Sequence, residues 1–141
     1  MTRQEGTHLS PVRILIADDY ADWRDQIRLL LQARPEWQII SEVGDGLDAV
    51  AEAQQMKPDL ILLDIGLPKM NGIEAARRIR RLSPDSEIVF ISLHNSPDVV
   101  QAALNTGAQG YVDKRNVGSE LLPAIEDVLR GGKFVSSAPQ S

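Results

Sequence analysis

The chain has 141 residues, 43% of them apolar and 25% charged, values that fit one compact core and exclude a disordered chain or a two-domain enzyme with an interdomain cleft. Fifteen Lys and Arg stand against 20 Asp and Glu, a formal charge of -5, so a phosphate backbone is repelled and nucleic acid is not the expected partner of this segment. Cysteine is absent, which removes disulfides, thiolate zinc sites and cysteine nucleophiles and agrees with a cytoplasmic setting.

No apolar run approaches the roughly 18 residues needed to cross a bilayer. The polar start, residues 1–10, lacks a signal-peptide core and reads as a flexible segment. From there, short apolar runs alternate with longer stretches of helical period, the pattern of repeated βα units around a parallel sheet. Strands are expected at Val12 to Ala17, Gln38 to Val43, Leu60 to Asp64, Glu87 to Ser92 and Gly110 to Val112. Ile14-Leu15-Ile16, Ile61-Leu62-Leu63 and Ile88-Val89-Phe90-Ile91 show little alternation, as in strands covered on both faces, and belong in the middle of the sheet.

The first helix is expected from Ala21 to about Ala33, with Trp23, Ile27, Leu30 and Leu31 on one face and Pro35 ending it. A second runs from about Gly46 to Met56 behind Asp45 as a cap, and a third from Gly72 to Leu82, stopped by Pro84. Ser96-Pro97-Asp98 opens a fourth helix that closes near Gly107. The fifth should begin near Ser119, because Pro123 lacks an amide hydrogen for a longer ladder, and should end at Gly131-Gly132. Its apolar residues Leu121, Leu122, Ile125, Val128 and Leu129 exceed one narrow seam; core packing explains them best, a partner surface being the alternative. Lys133 to Ser141 carries little signal.

Asp18 and Asp19 follow the first strand and Asp64 ends the third, so a parallel sheet brings all three out at its carboxyl edge, where open α/β sheets bind ligands. Carboxylates gathered there repel, which raises a pKa or demands a cation. Oxygen-only donors favour a hard ion such as Mg²⁺. Lys114 follows the fifth strand on the same edge, and Ser92 ends the fourth. An ammonium, a hydroxyl donor, a metal and a nucleophilic carboxylate together describe phosphoryl transfer onto an aspartate.

Over roughly residues 12 to 132 the sequence resembles the receiver domain of a bacterial two-component response regulator. The carriers are Ile14-Leu15-Ile16-Ala17-Asp18-Asp19, Asp64-Ile65-Gly66-Leu67-Pro68-Lys69-Met70-Asn71-Gly72, Ile91-Ser92 and Gly107-Ala108-Gln109-Gly110-Tyr111-Val112-Asp113-Lys114. Gly72-Ile73-Glu74-Ala75 and Gly132-Lys133-Phe134-Val135-Ser136 resemble the NarL/FixJ (LuxR-type) subfamily, whose receivers usually precede a helix-turn-helix DNA-binding domain.

The resemblance implies a flavodoxin-like doubly wound (βα)5 fold with a five-stranded parallel sheet of order 2-1-3-4-5. It places the receiver domain at residues 11–132, with 133–141 as a tail or the start of a linker. It implies that Asp64 accepts a phosphoryl group from the phosphohistidine of a sensor histidine kinase. Mg²⁺, with Mn²⁺ as a substitute, would be held by Asp18, Asp19, Asp64 and the backbone carbonyl of Gly66, Asp18 acting largely through a bound water. Ser92 and Lys114 would hold phosphoryl oxygens. Tyr111 would swing inward as Ser92 moves, reshaping the face made by the fourth helix, fifth strand and fifth helix. Such a domain is a phosphoacceptor that assists its own phosphorylation and dephosphorylation, not an enzyme in the ordinary sense. It works in the cytoplasm without a membrane partner, forms a homodimer on phosphorylation, and reaches DNA only through an output domain that these 141 residues do not include.

Taken singly, these residues have plainer readings. An Asp pair after a strand is more often an exposed turn or a cap, and only Asp64 and Lys114 on the same edge reverse that preference. Arg77, Arg78, Arg80 and Arg81 read as a solvated helix face, and His94 as a lining of the pocket. Arg115 stands where many receivers carry proline, so no cis bond is presumed. Gly66 offers no polar side chain and Leu93 is bulky, with opposite consequences for water reaching an acyl phosphate. A flavin-binding electron carrier of the same layer order is disfavoured by the two negative charges after the first strand. A nucleotide-binding P-loop motif is absent. A phosphorylation-independent interaction module would keep the fold without needing Asp18, Asp19, Asp64, Ser92 and Lys114.

Overall fold

The computed structural model describes residues 11–136; residues 1–10, expected to be flexible, and 137–141 lie outside the described residues. The elements are β1 (Val12–Ala17), α1 (Ala21–Leu31), β2 (Trp37–Val43), α2 (Gly46–Met56), β3 (Leu60–Leu63), α3 (Gly72–Leu82), β4 (Glu87–Ser92) and α4 (Pro97–Leu104). After these come β5 (Gly110–Asp113), a 3-10 turn (Lys114–Asn116), α5 (Val117–Leu129) and β6 (Phe134–Val135). All strand pairs are parallel and the order is β2-β1-β3-β4-β5-β6. The first five strands stand in the expected order, with the three most apolar in the interior.

The expected five-stranded sheet is corrected to six strands. Phe134 N–H donates to the Gln109 carbonyl at 3.1 Å and Ser136 N–H to the Tyr111 carbonyl at 2.8 Å. β6 spans two residues, too short to show a hydrophobic period; it forms because β5 would otherwise present an unpaired edge.

Strand residues alternate between two cores, as the period of two requires. Ile14, Ile16, Leu60, Leu62, Val89 and Ile91 pack on α1 and α5 through Ile27, Leu31, Leu121, Ile125 and Val128. Leu15, Ala17, Ile61, Leu63, Ile88 and Phe90 face the other way, toward Ala49, Ala53, Ala75, Ile79 and Ala103 of α2, α3 and α4. Each such Leu or Ile contributes about 1.5–3 kcal/mol by leaving water, and together they fix the sheet edge that carries the acids. Leu122 and Leu129 pack against the first core as partly buried residues, so the wide stripe of α5 is core packing.

Three helices begin with side-chain caps: Asp45 accepts from Asp48 N–H at 2.8 Å, Asn71 from Glu74 N–H at 3.0 Å and Ser96 from Val99 N–H at 3.3 Å. α1 and α4 stop short of Ala33 and Gly107 because their last turns tighten, with Ala33 N–H on the Leu30 carbonyl and Gly107 N–H on that of Leu104. α5 starts at Val117, not Ser119, and holds Pro123 inside it. Val117 and Leu121 are buried, and their burial offsets the hydrogen bond that Pro123 cannot make.

Candidate functional site

The parallel order puts the carboxyl ends of β1, β3, β4 and β5 side by side. Asp18 N–H donates to the Val43 carbonyl and Asp64 N–H to that of Ala17, both at 3.0 Å, so each acid sits one step beyond its strand and is held by the ladder. The Ile65 N–H donates to Asp64 Oδ1 at 2.8 Å, fixing the plane of that carboxylate.

Lys114 comes from the turn after β5 and reaches both acids. Its Nζ lies 2.7 Å from Asp18 Oδ2 and 3.2 Å from Asp64 Oδ2, with the Lys114 side chain only 4% exposed. One carboxylate oxygen from each of Asp18, Asp19 and Asp64 falls within 4.8 Å of the others. Asp18 and Asp64 are buried and Asp19 is exposed, so the cluster opens to solvent on the Asp19 side. Burial pushes the Asp18 carboxyl above its ordinary value; Lys114 and the Tyr20 N–H act against that rise. A donor set made only of oxygens, with more negative than positive charge, fits a hard divalent cation.

Ser92 is fully buried at the end of β4 and its Oγ accepts the His94 N–H at 3.1 Å. Tyr111 is buried on β5 with its hydroxyl donating to the His94 carbonyl, and its ring lies 6.1 Å from that of Phe90. Burial raises the Tyr111 phenol, with the Ser92 hydroxyl opposing it. Gly66 and His94 are both exposed, and a β-carbon at position 66 would sit 3.8 Å from His94 Nε2, so the two positions are neighbours on the surface. Leu93 points to solvent, 53% exposed. No described peptide bond is cis.

In the arginine strip of α3, Arg77, Arg78 and Arg81 are exposed, with Arg77 and Arg78 paired to Glu74 at 3.3 and 3.2 Å, while half-buried Arg80 departs from a solvated face and donates to the Ser86 carbonyl. The structure adds three site residues that the sequence reading passed over. Trp23 places its ring under Lys114, with Nζ 4.8 Å from the centroid; its helical period marked it only as core. Arg24 donates to the Asp18 carbonyl. Asp113 caps the turn that carries Lys114, accepting Arg115 N–H at 2.9 Å; an acid two residues ahead of a turn amide was a legible sign of it.

Residues 14–126 match the response regulator receiver domain family. The chain is 33% identical over 131 residues to the transcriptional regulatory protein DegU of Brevibacillus brevis, covering 93% of this chain and 56% of that protein. It is 34% identical over 128 residues to the nitrate/nitrite response regulator protein NarL of Escherichia coli K12, covering 91% and 59%. The chain thus spans a little over half the length of these relatives. Among solved structures, a LuxR-family two-component response regulator from Aurantimonas sp. SI85-9A1 superposes with a TM-score of 0.84 at 32% identity, covering 92% of this chain and 91% of that one. The signal receiver domain of the putative response regulator NarL from Mycobacterium tuberculosis gives 0.81 at 29% identity, covering 86% and 98%. Sheet order, acidic edge and sequence agree, and the chain belongs to the response regulator receiver domain family, with relatives of the NarL and DegU type.

Proposed function

We propose that this receiver domain is a phosphoacceptor switch in which Asp64 takes a phosphoryl group from the phosphohistidine of a sensor histidine kinase. The observation that carries the reading is Lys114, whose ammonium stands within 3.2 Å of Asp64 Oδ2 and 2.7 Å of Asp18 Oδ2 inside a cluster of three acids. An oxygen of Asp64 forms a bond to phosphorus as the bond from phosphorus to the imidazole nitrogen breaks, and that electron pair leaves with the histidine. The Ile65 N–H keeps the carboxylate oriented for this attack. Lys114, already beside the attacking carboxylate, would neutralise charge on the transferred oxygens, and the Ser92 hydroxyl would donate to one of them.

Asp18, Asp19, Asp64 and the Gly66 carbonyl are the residues that would hold Mg²⁺, or Mn²⁺ in its place, Asp18 through a water. When bound, such an ion supplies charge neutralisation at the phosphoryl oxygens. Release of the Asp18 and Asp64 charges from Lys114, and contact of Ser92 with the phosphoryl group, bias Tyr111 and the face of α4, β5 and α5 between two states. That face would pair with a second copy on phosphorylation. DNA contact, in this reading, belongs to a helix-turn-helix output domain outside this chain and the setting is the cytoplasm; among the described residues no helix is long and apolar enough to cross a membrane. The same residues would assist hydrolysis of the acyl phosphate.

The test is labelling by a small phosphodonor in Mg²⁺, read by intact mass. Wild type should gain one phosphoryl group and Asp64→Asn none. Equal labelling of the variant would overturn the assignment.

A further inference from the structure

Three side-chain contacts of the Lys114 ammonium are of two kinds. Two are the carboxylates of Asp18 and Asp64 at 2.7 and 3.2 Å. The third is the face of Trp23, 4.8 Å from Nζ to ring centroid, within the range at which an aromatic quadrupole attracts a cation. Trp23 is the third residue of α1 and packs, partly buried, against the core shared by α1 and α5. Its backbone is anchored beside the acids, since the Trp23 N–H donates to the Tyr20 carbonyl at 3.1 Å and the Tyr20 N–H to Asp18 Oδ1 at 2.9 Å.

The two kinds of neighbour respond differently to a divalent cation. Asp18 and Asp64 must turn part of their charge toward the ion, so their hold on Lys114 weakens when the ammonium is required at the phosphoryl group. The indole has no ligand atom to offer a hard cation, and its attraction for the ammonium persists. A lysine carries a flexible four-carbon stem with much rotamer freedom; with weakened carboxylate contacts, the ring is what keeps Nζ from swinging toward solvent.

We propose that Trp23 is a positioning residue for Lys114, its ring face holding the ammonium on the Asp64 side of the pocket once the carboxylates are shared with a divalent ion. This rests on the phosphoacceptor reading above. It predicts a division of effects, because Trp23 acts on the phosphoryl-binding cation and not on the metal-binding oxygens. Packing alone would not divide them, since a displaced α1 would disturb Asp18, Asp19 and Lys114 together.

The experiment compares wild type, Trp23→Leu, which keeps apolar bulk without a π face, and Trp23→Phe, which keeps a smaller ring. Mg²⁺ affinity is titrated alone, and beryllofluoride affinity is titrated at saturating Mg²⁺ by calorimetry. Trp23→Leu should weaken beryllofluoride binding about fivefold while Mg²⁺ affinity holds within about twofold, and Trp23→Phe should recover most of the loss. Unchanged beryllofluoride affinity in Trp23→Leu, or equal losses for both ligands, would overturn the assignment. If Trp23→Leu fails to fold, Trp23→Met, which also fills the site without a π face, decides through the same ratio: a loss confined to beryllofluoride supports the role, and an unchanged or parallel response refutes it. A wild type that takes up no beryllofluoride would instead refute the phosphoacceptor reading.

Discussion

Gly72 presses so closely on Asp64 that a β-carbon at position 72 would stand 1.9 Å from the Asp64 carbonyl oxygen. The Gly72 N–H also donates to the Ile65 carbonyl at 2.8 Å. The start of α3 is therefore seated directly on the segment that carries the proposed nucleophile, and only a residue without a side chain permits it. Gly72→Ala must move one segment or the other. It should lose about 1–3 kcal/mol of stability in urea unfolding and bind beryllofluoride more weakly. A variant as stable as wild type would contradict this contact.

Asp18 gives a pH-dependent prediction with a definite sign. Its carboxyl is pushed up by burial, so folding favours its protonated form. The contribution is present below about pH 4, the ordinary carboxylate range, and is lost as pH rises through the raised value. Without a divalent ion, Asp18→Asn should raise the unfolding midpoint at neutral pH by about a few degrees, and the gain should shrink on acidification. Mg²⁺ should stabilise wild type more than the variant, because binding to the folded state adds stability. Thermal unfolding at several pH values checks both; a variant less stable than wild type at neutral pH would show that Asp18 is needed to hold Lys114.

The central strands and the residues that follow them at the sheet edge were legible because they rest on patterns that survive packing, whereas the strand order came from the family resemblance. Ile14-Leu15-Ile16 and Ile61-Leu62-Leu63 show the lack of alternation of strands covered on both faces, and Asp18 and Asp64 follow them. What was not legible depends on distance along the chain or on brevity. The Trp23 ring belongs to an apolar stripe whichever charge it faces, and nothing local ties it to Lys114, 91 positions later. β6 is two residues long and exists only as an answer to the edge of β5. The start of α5 was misplaced because Pro123 argues locally for a late start, while the burial of Val117 is a tertiary effect.

Asp113 should matter to Lys114 through the turn between them. Its carboxylate accepts the Arg115 N–H and pairs with the Arg115 guanidinium, which holds the Asp113 carboxyl below its usual range, burial acting the other way. A depressed value means that this stability is present above about pH 4 and is lost as pH falls through the lowered value. Arg115 is more than half exposed, so the ion pair is screened and the cap is the larger part. Asp113→Ala should cost about 1 kcal/mol and weaken beryllofluoride binding, while Asp113→Asn, which can still cap, should retain most of both. Equal losses in the two variants would assign the effect to charge instead.

Ser136 ties the last described residue to the strand that carries Tyr111. Its N–H donates to the Tyr111 carbonyl at 2.8 Å, its Oγ accepts the Asp113 N–H at 2.9 Å, and the same hydroxyl donates to Glu120 of α5. The segment after Gly132, expected to be a tail or linker, is thus hydrogen-bonded to β5 and α5 of the proposed switch face. Ending the chain at Gly132 removes partly buried Phe134 and uncovers the β5 edge, and should cost about 1–3 kcal/mol. Ser136→Ala should cost less, because the β6 backbone pairing remains. Hydrogen exchange distinguishes these: amides of β5 should exchange faster in the shortened chain and, in Ser136→Ala, the acceleration should centre on Asp113. Exchange in the shortened chain that matches wild type would mean that β6 lies on the sheet without supporting it.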